Sequence, residues 1–289
     1  VGDICNLDPK DYKDVDLMLA GSPCQGFSFA GKQLAFDDPR SALFFEFIRL
    51  LKAIKPKYFL LENVRMKKEF LQVISEQVSA CYPEITFGIE PIFINSSLVS
   101  AQSRQRYYWT NIPNIKQPED RGIVLRDILE DNYDSDRDKS YCIDANYYKG
   151  ASVEQYKKKC RRQLVNKAIT IDKKKKQLTI KEATKKGYTT IEDGDCFDMT
   201  FPNSKTRRGR NMKDKSNCLT AANYDYMRYE HSDQEQEVYW RKLTPVECER
   251  LQTVPDNYTN HVSNTQRYKM LGNGWTIEVI KHIFKNMEI

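Results

Sequence analysis

A run of apolar residues after Asp16, Leu17-Met18-Leu19-Ala20, ends at Gly21-Ser22-Pro23 and predicts a buried strand closed by a turn. After a polar stretch, Leu43, Phe47, Leu50, Leu51 and Ile54 recur at helical spacing, and Phe44 and Ile48 widen the stripe. Pro56 stops that helix. Tyr58–Leu61 reads as a second buried strand, with Glu62-Asn63 at its end. A helix over about 67–80 follows, with Phe70, Val73, Ile74 and Val78 inward, and 86–94 and 106–110 read as further strands. Strand alternating with helix predicts an α/β fold built on a parallel sheet. Catalytic groups then collect beyond the carboxyl ends of the strands, which here means Ser22–Ser28 and Glu62–Arg65. From about 113 to 240 the periodicity weakens and predicts a separate lobe of short strands and long loops. The helical pattern returns at Thr244-Pro245-Val246-Glu247, a capping box with Thr as N-cap, and the chain closes with a helix over 276–287. The expected organisation is 1–112, 113–240 and 241–289, the last returning to the first.

Length and composition narrow the class without naming a function. The chain has 289 residues, 40% apolar and 30% charged, enough for a large domain plus a smaller lobe. No stretch approaches 18 consecutive apolar residues, which excludes an ordinary transmembrane helix. Eight cysteines show no CxxC spacing, which argues against a zinc ribbon, and no metal site is expected. A reducing, cytoplasmic setting is expected. Val1 is not a start methionine, so any targeting information is expected upstream.

Charge changes the picture more. Residues 149–215 hold 20 Lys/Arg against 8 Asp/Glu, a net of +12, while the rest of the chain holds 26 against 32, a net of −6. A basic insert in an acidic body points to an anionic partner, nucleic acid first; a solvated lysine-rich face is the alternative. Candidate chemistry lies elsewhere. Cys24 follows the first strand in a sharp turn, where backbone N–H groups favour thiolate, although a lone cysteine is more often a small buried hydrophobe. Glu62 follows four apolar strand residues. A thiol and a carboxylate at adjacent strand ends suggest a nucleophile with a proton donor. In Gln102-Ser103-Arg104-Gln105-Arg106 the alternation puts Gln102, Arg104 and Arg106 on one face, fit for phosphate, carboxylate or a base carbonyl, or simply exposed.

These pieces resemble a family. Gly21–Ser28 (GSPCQGFS), Glu62–Val64 (ENV) and Gln102–Arg106 (QSRQR) resemble three core motifs of the cytosine-C5 DNA methyltransferases of phage and bacterial type. Gly2-Asp3-Ile4 is similar to a short motif ahead of the catalytic loop, and Leu243–Tyr258 to the motif supporting the target-recognition region. Gly272-Asn273-Gly274-Trp275-Thr276 is similar to the C-terminal motif at the cofactor pocket. The resemblance implies a Rossmann-like S-adenosylmethionine-dependent methyltransferase sheet with a smaller, mostly β or irregular target-recognition lobe. It implies methyl transfer to carbon 5 of a cytosine flipped out of duplex DNA, through a covalent adduct on Cys24. Glu62 would hold ring N3 and the exocyclic amine, Arg106 the ring O2, and Arg104 the carboxylate or a phosphate. Asp3, Ile4, Pro23, Leu43, Asn273 and Trp275 would hold S-adenosylmethionine. Gln25 and Ser28 would close over the DNA, and Arg207, Arg208 and Arg210 would contact phosphate or guanine.

The family's phenylalanine-rich glycine turn and its acidic ribose-binding residue are missing ahead of Gly2. A truncated sequence is the favoured account, over a second chain that supplies the front or a permuted gene, and weak or no cofactor affinity is expected of this chain alone. It is otherwise expected to be monomeric. The alternatives are a tRNA cytosine-C5 methyltransferase, to which Cys218-Leu219-Thr220 is loosely similar, and a non-catalytic DNA-binding fragment.

Overall fold

The computed structural model describes residues 2–21, 42–170, 178–198, 206, 210–213, 226–231 and 236–288. Two compact units emerge. The first comprises 1–96, 104–119 and 279–289, and the second 97–103 and 120–278.

The first unit is built on a sheet of β1 (Leu17–Gly21), β2 (Tyr58–Val64), β3 (Ile92–Asn95) and β4 (Gln105–Thr110), in the order β1-β2-β4-β3. Between β1 and β2 runs α1 (Ala42–Ile54), which buries the Phe44, Phe47, Leu50 and Leu51 stripe. This helical crossover makes β1 and β2 parallel. α2 (Lys68–Ser79) follows β2 and buries Ile74 and Val78. Its Ser75 hydroxyl accepts from the Trp109 indole at 2.9 Å, which fixes the helix to the sheet. The core joins Phe44, Phe47, Leu51, Phe59, Leu61, Ile74, Val78 and Trp109. Phe59 also stacks on Tyr82, whose hydroxyl donates to the Pro56 carbonyl at 3.0 Å.

Two expectations about this sheet need correction. It is mixed: β4 lies between β2 and β3 and runs antiparallel to both. β4 is reached from β3 without a helical crossover, and a short return reverses the strand. The strand expected over 86–94 is pared to Ile92–Asn95. Gly88 takes φ +70°, and the Ile89 amide donates to Ser79 Oγ at 2.8 Å instead of entering the ladder.

The second unit carries α3 (Val153–Lys159), and its described strands are mostly short. β5 (Leu164–Thr170), β8 (Cys196–Asp198), β9 (Asn211–Met212), β10 (Tyr226–His231) and β11 (Gln236–Lys242) form one sheet, ordered β5-β11-β10-β8-β9. β6 (Leu178–Lys181) and β7 (Tyr188–Ile191) pair separately. α4 (Pro245–Leu251) begins with the expected capping box: Thr244 Oγ1 accepts from the Glu247 amide at 3.1 Å, and Glu247 Oε2 accepts from the Thr244 amide at 2.7 Å. α5 (Asn264–Asn273) packs near it, and Leu243, Cys248, Leu251, Tyr268 and Leu271 share one core with Tyr147 and Ile143. The last helix, α6 (Ile277–Phe284), belongs to the first unit from Val279 onward and buries Val279, Ile280 and Ile283.

Candidate active site

The β2 register decides where Glu62 stands. Glu62 pairs with Gly21 of β1 on one side and with Tyr108 of β4 on the other. It lies inside the strand rather than after it. Directly opposed residues share a face, as do residues two apart, so Glu62, Tyr108 and Arg106 face the same way. Arg106 Nε lies 2.6 Å from Glu62 Oε1, and the two side chains are only 13% and 11% exposed. Arg106 Nη1 also donates to the Gln105 carbonyl at 2.9 Å. The guanidinium charge at this distance holds the carboxylate on the sheet face. Tyr108 beside it is buried, and burial first, then the Glu62 charge, push its phenol far above the ordinary value, so it stays neutral.

Gly21, the last residue of β1, pairs with Glu62, and Cys24 follows three residues later in the sequence. Pro23, Cys24, Gln25 and Ser28 themselves lie outside the described residues, as do Arg207 and Arg208.

Arg104 is buried just before β4, and its carbonyl accepts from the Ser96 amide at 3.0 Å, closing the neck of the β3–β4 connection. Gln102 does not share an exposed face with it. Gln102 is fully buried in the second unit, where its Oε1 accepts from the Ile143 amide at 2.9 Å and its Nε2 donates to the Leu251 carbonyl at 3.3 Å. Alternation failed there because the chain departs from strand geometry before Gln105.

Among the residues expected at the cofactor, Asp3, Ile4 and Leu43 belong to the first unit and Asn273 and Trp275 to the second. Asp3 is exposed and caps a single 3₁₀ turn, Ile4–Asn6, by accepting from the Cys5 amide at 3.0 Å. That backbone hydrogen bond holds its carboxyl below the ordinary range. Ile4 and Leu43 are half-buried, Asn273 is exposed at the end of α5, and Trp275 is half-buried.

Arg210 departs from its expected role. It is 1% exposed, and its guanidinium donates to the Asp198 carbonyl from Nε (3.1 Å) and Nη2 (2.6 Å) and to the Lys181 carbonyl from Nη1 (2.9 Å). It clasps β8 to β6. Its place in a basic run concealed this, because the run alone does not say which arginine faces inward. The buried cluster around Glu249 went unread for a similar reason. Its carboxylate accepts from the amides of Asn257 (2.6 Å) and Thr259 (2.8 Å) and from Arg267 Nη2 (2.9 Å).

Among the described residues, no group of three or more His, Cys, Asp and Glu side chains is arranged to hold a metal ion. None of their helices is long and apolar enough to cross a membrane.

The model of the family described as C-5 cytosine-specific DNA methylase matches residues 1–288. Type II methyltransferase M1.ScrFI of Lactococcus lactis subsp. cremoris is 31% identical over 304 residues, covering 99% of this chain and 65% of that protein. Type II methyltransferase M.HgiCI of Herpetosiphon aurantiacus is 27% identical over 370 residues, covering 99% of this chain and 85% of that protein. Among solved structures, the Entamoeba histolytica methyltransferase EhMeth superposes with a TM-score of 0.54 at 16% identity, covering 100% of this chain and 83% of that one. That superposition bears on the fold, an α/β methyltransferase architecture.

Proposed function

The chain belongs to the C-5 cytosine-specific DNA methylase family, and on that premise we propose that it methylates carbon 5 of cytosine in duplex DNA through a covalent adduct on Cys24. The observation that carries the reading is the Glu62–Arg106 pair, set on β2 and β4 beside the strand end from which the Cys24 segment departs. The aromatic cytosine ring makes carbon 5 a poor nucleophile. Attack of the Cys24 thiolate on carbon 6 removes that aromaticity and turns carbon 5 into an enamine carbon. Glu62 accepts from the exocyclic amine and, once it carries a proton taken from solvent, hands that proton to ring N3 as attack places negative charge there. Arg106, already fixed against Glu62, presents its guanidinium to O2, and Arg104 braces the carboxylate or a phosphate. Once carbon 5 carries the methyl group, a solvent base takes its proton, the freed electron pair expels the Cys24 thiolate, and N3 returns its proton to Glu62, which restores the ring. The base must leave the helix for this, at a cost of roughly a few kcal/mol, and Gln25 and Ser28 hold the gap.

S-adenosylmethionine supplies an electrophilic methyl group on a sulfonium. Asp3 would take the adenine amine, Ile4, Pro23 and Leu43 would line the pocket, and Asn273 and Trp275 would complete it. Arg207 and Arg208 in the basic insert are the proposed DNA contacts, and Arg210 is withdrawn from that set because its guanidinium is spent on carbonyls. The Type II methyltransferase relatives support a restriction-linked role, exercised on DNA in the cytoplasm of a bacterial or phage-infected cell. We read the chain as acting as a monomer, unless a second chain supplies a segment ahead of Gly2.

The test is methyl incorporation from labelled S-adenosylmethionine into duplex DNA and into tRNA, with digestion to identify the product. The expected result is 5-methylcytosine in DNA, with a drop of about 100-fold or more in Glu62→Gln. Preferential labelling of tRNA, or a Glu62→Gln variant as fast as the parent, would overturn it.

A further inference from the structure

The turn assigned above to the cofactor has little to hold it in place. None of Ile4–Asn6 is fully buried, and apolar packing on the turn is confined to the half-buried Ile4. Its own hydrogen bonds are local: Cys5 N–H to Asp3 Oδ1 (3.0 Å), Asn6 N–H to the Asp3 carbonyl (3.0 Å) and Leu7 N–H to the Ile4 carbonyl (3.2 Å). Such bonds shape a turn but do not orient it against the rest of the unit. Among the described residues, the long-range hydrogen bonds to this turn come from one side chain. Arg49 Nη2 donates to the Ile4 carbonyl at 3.3 Å and to the Leu7 carbonyl at 3.2 Å, across 45 and 42 residues. Arg49 Nε is meanwhile held by Glu46 Oε2 at 2.7 Å, one turn earlier on α1. α1 is a firm base for this clasp, because Phe47, Leu50 and Leu51 around Arg49 are buried in the core.

We propose that Arg49, oriented by Glu46, is a positioning residue for cofactor binding: it clasps the two carbonyls flanking the Ile4–Asn6 turn and so sets where Asp3 and Ile4 stand. An ordinary i, i+3 surface ion pair is worth little and would leave the binding site untouched. This pair differs because the same planar guanidinium spends a second nitrogen on two distant backbone acceptors. A fixed fork can do that, whereas a lysine ammonium in its place supplies a point charge with poorer reach. Asp3 is exposed, so a mobile turn would have to be ordered each time cofactor bound, and the affinity would carry that cost. The inference rests on the assignment of Asp3 and Ile4 to the cofactor.

The test uses the full-length protein with Arg49→Met and Arg49→Lys. Amide hydrogen exchange without ligand reads the clasp directly: Asn6 and Leu7 should exchange about tenfold faster or more in Arg49→Met, while the α1 amides of Leu50 and Leu51 keep their protection. Calorimetry with S-adenosylhomocysteine, which needs no turnover, should show Kd raised about tenfold in Arg49→Met, with Arg49→Lys between it and the parent. Duplex DNA affinity should not change. Unchanged exchange, or faster exchange with unchanged Kd, overturns the positioning role alone. Because weak or no affinity is expected of residues 1–289 alone, calorimetry is run with the missing front motif supplied; a parent with no measurable affinity for S-adenosylhomocysteine under that condition overturns the cofactor assignment itself, and the proposal with it.

Discussion

Gly272, next to last in α5, opens a string resembling the cofactor-pocket motif, yet the structure gives it a packing reason. A Cβ built on Gly272 would sit 2.2 Å from both the carbonyl carbon and oxygen of Asp144 and 2.5 Å from the Ala145 amide nitrogen. Ordinary contacts between such atoms begin near ~3.5 Å, so an alanine overlaps backbone on three atoms by more than about 1 Å. Backbone cannot swing aside as a flexible side chain can. Relief requires α5 to retreat from residues 144–145, and that motion pulls on the Tyr268 hydroxyl bonded to the Leu243 carbonyl at 2.8 Å. It also opens the Tyr147–Tyr268 ring contact at 5.7 Å, inside the main core of the second unit. Gly272→Ala should therefore cost about 3 kcal/mol, the upper part of the overpacking range, and lower Tm by roughly 6–12 °C for a chain of this size. The neighbouring Asn273 is exposed, and Asn273→Ala should cost less than about 0.5 kcal/mol. Urea and thermal denaturation of the two variants beside the parent is the assay. A Gly272→Ala protein within about 1 kcal/mol of the parent would refute the close approach of α5 to Asp144.

Arg210→Met should lower stability by about 2–4 kcal/mol, since it strips the Asp198 and Lys181 carbonyls of a charged donor. The slope of log DNA affinity against log salt should not move, whereas a phosphate contact would cut it by about one unit. For Glu249, burial alone would raise the carboxyl pKa, but the hydrogen bonds from Thr259, Arg267 and Asn257 outweigh it and hold the folded value below the ordinary 4.5. The unfolded chain therefore binds this proton first as pH falls. The contribution is fully present above about pH 4.5 and is lost as pH drops through the lowered folded value. Glu249→Gln should be less stable than the parent at pH 7, with the gap closing under acid. Denaturation curves from pH 7 to pH 3 would count against this if the gap stayed constant.

Hydrophobic period revealed α1 and β2 because α1 buries a stripe at helical spacing, Phe44, Phe47, Leu50 and Leu51, and β2 buries the continuous run Tyr58 to Leu61. The capping box at Thr244 was legible because its hydrogen bonds are local to four residues. Strand direction was not legible. Whether β4 runs with or against β2 depends on how the chain returns from β3, and the apolar pattern of Tyr107-Tyr108-Trp109 is the same either way. α5 escaped notice because its inward face includes Arg267 and Gly272, which read as polar and as a breaker. Arg267 is inward because Glu249 and Thr259, which meet it only in the folded chain, satisfy it. At the site, the order of the short motifs pointed to Glu62 and Arg106, and the sheet register explains why residues 44 apart meet. Gln102 and Arg210 show the limit. Each carries the residue type expected of an exposed contact, and each is buried by partners from distant segments.

The account turns on a covalent bond between one sulfur and one pyrimidine carbon. Duplex DNA carrying 5-fluorocytosine in the recognised sequence, incubated with S-adenosylmethionine and the full-length protein, cannot lose a C5 proton and should trap that bond. The predicted result is a denaturant-stable protein–DNA species whose cross-linked peptide contains Cys24, absent in Cys24→Ala. A trapped species mapped to another residue, or none from a protein that methylates unsubstituted DNA, would contradict it.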